Sequence, residues 1–159
     1  MSRQSSKHTG DKTSPAQQRI NRAVSMATLS NLLQLNFADG ARLIVLAYNT
    51  GGYIPTGVYA EQDITEWVRL SRKQLGSAFR YVRFTGQGHS AQSATVHHVA
   101  VPLQLEVAEH LAGMWEYGPA RTEKIECGQL VTLAAQLMAN ARIRPGQHTW
   151  AASRGLMRS

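Results

Sequence analysis

Two adjacent histidines, His97 and His98, stand inside a β-branched run, Thr95-Val-His-His-Val-Ala-Val101. A strand alternates its side chains between faces, so the two imidazoles are expected to point opposite ways and not to close on one metal ion. Ligand spacing on a sheet would be i and i+2 with a carboxylate from a neighbouring strand, and here Val96 and Val99 fill those positions. One packed and one exposed histidine is the first expectation, with metal or nucleic-acid contact as the alternatives. His8, His89, His110 and His148 show no ligand spacing, and Cys127 is the single cysteine. The sequence contains no phosphate-cradling glycine loop, no paired-cysteine motif and no nucleophile elbow.

The remaining candidates are basic and aromatic. Trp150 lies between Arg144 and Arg154, where an indole could stack on a base while the guanidiniums meet phosphates, or could instead anchor the C-terminus. Tyr117, in Trp115-Glu-Tyr-Gly118, has the same two readings, base stacking or a packed corner. Arg72 and Lys73 fall near the outer face of an amphipathic segment. With Arg142, Arg144, Arg154, Trp150 and His98 they form the expected DNA-facing set.

The elements that must hold these residues follow from periodicity. Ile20, Val24, Ala27, Leu29, Leu32, Leu33 and Leu35 recur at roughly helical spacing from Ala16 to Phe37, ended by Asp39-Gly40. Arg42–Tyr48 reads as a buried strand, and Asn49–Pro55 as the loop that leaves it. Asp63 is expected to cap a helix that presents Ile64, Trp67, Val68, Leu70 and Leu75 inward and stops at Gly76. Strands at Phe79–Phe84 and Thr95–Val101, a helix at about 104–114, a strand at 120–126 and a helix at about 129–142 complete the pattern. That order predicts an α+β fold: a ferredoxin-like split βαβ antiparallel sheet with helices on one face.

The chain is 159 residues, the size of one domain, with 43% apolar and 17% charged residues and a net charge of +7. No apolar run is long enough to span a bilayer, so a soluble protein is expected. Residues 1–22 carry +4 and residues 142–159 another +4, leaving a body at −1. Basic ends on a near-neutral body suit phosphate contact, and solubilising tails are the other reading. The organisation expected is a disordered basic arm at 1–14, a domain at 15–142 and a basic tail at 143–159. The start Met1–Gly10 lacks the apolar stretch of a secretion signal and the lone cysteine forms no internal disulfide, which favours a cytoplasmic setting.

The order of motifs resembles the rolling-circle replication initiators of small phages and plasmids, within the HUH endonucleases. The resemblance runs from about Leu32 to Leu156. Its pieces are Asn36-Phe37 before Leu43–Tyr48, a helix rich in Trp, Arg and Lys, Tyr81-Val-Arg-Phe-Thr85, Val96-His-His-Val-Ala-Val-Pro-Leu103, Trp115-Glu-Tyr-Gly118, Leu133-Ala134 and Trp150-Ala-Ala-Ser-Arg-Gly-Leu156. It implies a sheet that binds single-stranded or hairpin DNA, with two histidines and a carboxylate holding a divalent metal and a helix tyrosine attacking the phosphate. This chain departs at each catalytic position: Val96 replaces the first histidine ahead of His98, Gly86 the carboxylate, Gln136 the tyrosine, and Ala139 the basic residue one turn on. In the register shifted by one, His97 is the first ligand and Val99 the lost second, so one histidine is missing either way. The resemblance therefore implies a DNA-binding protein of a mobile element that has lost nicking chemistry and needs no cofactor. Two other readings stay open: an inhibitor that occupies a host protein such as a nucleic-acid-guided defence nuclease, and an active nickase. The nickase would use Tyr48 or Tyr117, with a divalent metal on His97 or His98 together with His89.

Overall fold

A computed structural model describes residues 14–49, 55, 58–76, 79–87, 95–140 and 150–156. Helix α1, Pro15–Asn36, starts where the Ser14 side chain accepts the Gln17 amide and Pro15 takes a position that needs no amide hydrogen. It closes with the Phe37 amide donating to the Leu33 carbonyl. Gly40 then turns the chain at φ +94, and a Cβ there would stand 2.8 Å from the Ile125 carbonyl oxygen, so only glycine fits.

Strand β1 (Ala41–Leu46) leads to α2 (Val58–Leu75), the hairpin β2 (Val82–Gln87) and β3 (Thr95–Val101), α3 (Leu105–Gly113), β4 (Ala120–Ile125), α4 (Cys127–Asn140) and β5 (Trp150–Ala152). The five strands form one antiparallel sheet in the order β4-β1-β3-β2-β5. Its first four strands with α2 and α3 have the ferredoxin-like split βαβ connection, as the element order predicts.

The helices, however, do not share one face. Ile44, Leu46, Val99 and Val101 meet Ile64 and Trp67 of α2 and Leu111 of α3. Leu43, Val45, Val82, Phe84 and Ala100 meet Leu29 and Leu33 of α1 and Leu130 and Ala134 of α4. Leu43, Ile44, Val45 and Leu46 are all buried, so β1 is apolar on both sides and each side must be covered. Two helices per face, not helices on one face, is the consequence.

Three boundaries differ from expectation. Helix α2 begins at Val58, so Asp63 lies in its second turn, buried, and does not cap it. Strand β2 runs to Gln87 because Gly86 and Gln87 pair with Val96 and Thr95. Within the segment expected as a basic tail, residues 150–152 add an edge strand to β2, and Leu156 is buried in the α1/α4 core. Residues 1–13 of the expected 1–14 arm and residues 141–149, with Arg142 and Arg144, lie outside the described residues, while Ser14 caps α1.

Candidate functional site

The register builds one row of side chains across the face under α1 and α4. Arg121 of β4 is opposite Val45, Val45 opposite His98, His98 opposite Phe84, and Phe84 opposite Trp150. The His98 ring stacks on Phe84 with centroids 6.0 Å apart and planes 9° from parallel. Its Nδ1 is buried and has no hydrogen-bond partner among the described residues. Burial, and then the positive charge of Arg121, push the pKa of His98 down to about 4, so the ring is neutral at neutral pH.

Val96 occupies the same face two residues earlier and packs against the α1/α4 core, with Gly86 its partner on β2. Helix α4 covers this face through Leu130 and Ala134, while Gln136 lies on its exposed side. The positions that the resemblance assigns to the first and second histidine thus share a face with the helix assigned to the tyrosine. They do not fit a divalent cation. A lone imidazole beside a guanidinium supplies one ligand and a repulsive field, where such ions need several donors. Among the described residues no group of three His, Cys, Asp or Glu side chains could hold a metal.

His97 faces the other way, as strand alternation requires. It is buried among Tyr48, Trp115 and the α2/α3 core, with Tyr48 and Trp115 edge-on at centroid distances of 5.7 and 5.6 Å. The Tyr48 hydroxyl lies 3.1 Å from Asp63 Oδ2 and 3.0 Å from His97 Nε2, and His97 Nδ1 lies 3.1 Å from Thr85 Oγ1. A carboxylate only accepts, so Tyr48 donates to Asp63. His97 Nε2–H then donates to the Tyr48 oxygen, and the Thr85 hydroxyl donates to Nδ1. Burial first, then Arg83 and His98, depress the His97 pKa to about 3, consistent with this neutral ring.

Two groups extend the cluster. Arg83 is buried and forks onto Glu61 of α2, with Nη2 to Oε2 at 2.6 Å and Nη1 to Oε1 at 3.3 Å. Tyr117 has a raised pKa, from burial first and then from Asp63 and neighbouring carboxylates, so its phenol is kept protonated. Tyr48 is buried, and its hydroxyl is already committed between Asp63 and His97. Neither phenol is set up as an anionic nucleophile, and both His97 nitrogens are occupied by protein groups. This face also does not fit a metal.

Sequence reading missed Asp63, Thr85, Glu61 and Arg83 as members of one polar cluster. The available signal was Thr85 and His97 in consecutive strands, since a hairpin register can set them opposite each other, as it does.

The expected DNA-facing residues fall in several places. Arg72 and Lys73 are exposed in the last turn of α2, and Arg154 is exposed in the turn after β5. Trp150 is half-buried on β5, and its indole nitrogen donates to Ser25 Oγ of α1 at 2.7 Å, the anchoring role rather than a free stacking edge. His89 and His148 lie outside the described residues, and His110 is exposed on α3. No helix among the described residues is long and apolar enough to cross a membrane. Compared with protein-family models, with curated proteins and with solved structures, the chain matches none.

Proposed function

We propose that this chain is a replication-initiator-like DNA-binding protein of a phage or mobile element that no longer nicks DNA. The observation that carries the reading is the face under α4: Val96 and His98 stand at the resemblance's two ligand positions, with no carboxylate on the paired strand and with Arg121 acting on His98 as a positive charge. Loss of the metal alone would remove the electrostatic stabilisation that phosphoryl transfer depends on, whichever hydroxyl attacked. The partner in this reading is single-stranded or hairpin DNA, met by the exposed cations Arg72, Lys73 and Arg154 and by the basic ends. A cytoplasmic setting belongs to the same proposal.

The test is fluorescence anisotropy of labelled single-stranded, hairpin and duplex DNA over a salt series. Affinity that falls steeply with salt supports the reading, and no binding at low salt overturns it. One observation favours a second reading, occupation of a host protein such as a defence nuclease. On α1 the apolar side chains of Ile20, Val24 and Leu35 are 56%, 60% and 39% exposed, on the side away from the core. Pull-down from host lysate with Ile20 and Val24 changed to serine separates the two, because such variants should lose a protein partner and keep DNA.

A further inference from the structure

The sheet ends on its β5 side in a pair of arginines. Beyond the last ladder pair, Val82 opposite Ala152, the Ser153 amide donates to the Tyr81 carbonyl at 2.9 Å, and the Tyr81 amide donates to the Ser153 hydroxyl at 3.0 Å. Ser153 is buried and its side chain finishes the ladder where the backbone turns away. The next residues out are Arg80, ahead of β2, and Arg154, in the turn after β5, both exposed. Like charges brought close at a sheet edge repel one another. Arg69, Arg83 and Arg121 each have a carboxylate within reach, but among the described residues Arg80 and Arg154 have none.

Local packing also fixes where Arg80 lies. A Cβ at Gly155 would come within 3.4 Å of Arg80 Cγ and Nε, so the arginine side chain rests along the Gly155 backbone. A side chain there would crowd the arginine stem. The Arg80 side chain thus runs beside the turn that carries Arg154.

We infer that Arg80 and Arg154 form a two-guanidinium clamp for adjacent phosphates of a nucleic-acid backbone. The clamp rests on the DNA-binding reading and adds to it a specific phosphate site, with Arg80 as a contact and Gly155 as the residue that positions it. Two guanidiniums in fixed forks match phosphate oxygens bidentately, which the flexible ammonium of lysine does not. The clamp contacts no base, so it orients the backbone and carries no sequence preference.

The test compares wild type with R80Q/R154Q and with R42Q/K124Q by anisotropy on labelled single-stranded DNA across a salt series. Arg42 and Lys124 are directly opposite each other, on β1 and β4, so this double variant removes the same charge at another place. For R80Q/R154Q the slope of log affinity against log salt should flatten by about 1.4, two phosphate contacts on a single strand. Affinity at low salt should fall at least about tenfold. R42Q/K124Q should leave the slope as in wild type, and R80K/R154K should restore the slope but only part of the affinity. Thermal melts of the glutamine variants should equal or slightly exceed that of wild type, because each pair of substitutions removes repulsion between neighbouring like charges. Equal flattening in both glutamine pairs, or no change in R80Q/R154Q, overturns the clamp while leaving DNA binding standing. If the wild type binds no DNA, both readings fall together.

Discussion

Acidification from pH 7 to pH 5 should destabilise this protein through two histidines that face opposite sides of one strand. His97 and His98 have folded-state pKa values of about 3 and about 4, against 6.5 for an unperturbed ring. Between those values the unfolded chain binds protons that the folded chain does not, so stability is full above about pH 7 and falls as pH drops. Each ring contributes a loss of about 2 kcal/mol between pH 7 and pH 5, at roughly 1.4 kcal/mol per unit once below 6.5. The two together remove about 4 kcal/mol, a large share of the 5–15 kcal/mol typical of a domain. Carboxylates titrate mostly below this window, which isolates the histidines. The assay is urea unfolding at half-unit intervals of pH for wild type, His97→Leu and His98→Leu. Each substitution should remove about half of the slope. A wild-type stability that is flat or rises on acidification from 7 to 5 would refute the burial argument. So would a slope that persists when both rings are replaced.

Other consequences of the same geometry can be checked by unfolding experiments at pH 7.5. His98→Leu should be neutral or stabilising, by up to about 1–2 kcal/mol, because it removes a buried nitrogen that has no partner among the described residues. A loss above about 1 kcal/mol would mean that Nδ1 is satisfied in solution. Tyr48→Phe should cost about 1–3 kcal/mol by leaving His97 Nε2–H without its acceptor, and that cost should shrink in a His97→Leu background. Strict additivity of the two would contradict the chain of donors running from Thr85 to Asp63. Glu61→Ala should cost about 3–5 kcal/mol, since it strands the Arg83 guanidinium inside the fold, whereas breaking the exposed Arg69–Glu66 pair with Glu66→Ala should change stability by less than about 1 kcal/mol.

Much of this architecture is legible in the residue pattern, and the exceptions have physical causes. The split of His97 and His98 between faces follows from strand alternation alone. The leucine spacing of α1 and the buried run of β1 are equally local. The same run, apolar at four consecutive positions, already carries the requirement for two covered faces. Element order was the weaker guide there, because the ferredoxin-like connection accounts only for α2 and α3. Asp63 illustrates the opposite difficulty. In sequence it resembles a helix cap, yet the Tyr48 hydroxyl, which follows β1 and links Asp63 to His97 of β3, gives it a buried role that no local pattern encodes. Trp150 reads equally as a stacking or an anchoring residue until Ser25 is found beside it. The Arg80–Arg154 pairing depends on β5, a three-residue strand too short to announce itself by periodicity.

The central claim is that the chain binds DNA and leaves it uncut. The most direct measurement incubates the protein with a fluorescent hairpin oligonucleotide and Mn²⁺, reads anisotropy for binding, and then resolves the same sample on a denaturing gel. A salt-sensitive anisotropy increase is expected, with the oligonucleotide intact and no protein–DNA adduct, because Val96, His98 and Gln136 do not together supply metal-assisted attack. A shortened strand carrying a covalently attached protein would contradict it and would point to a tyrosine acting from elsewhere in the chain.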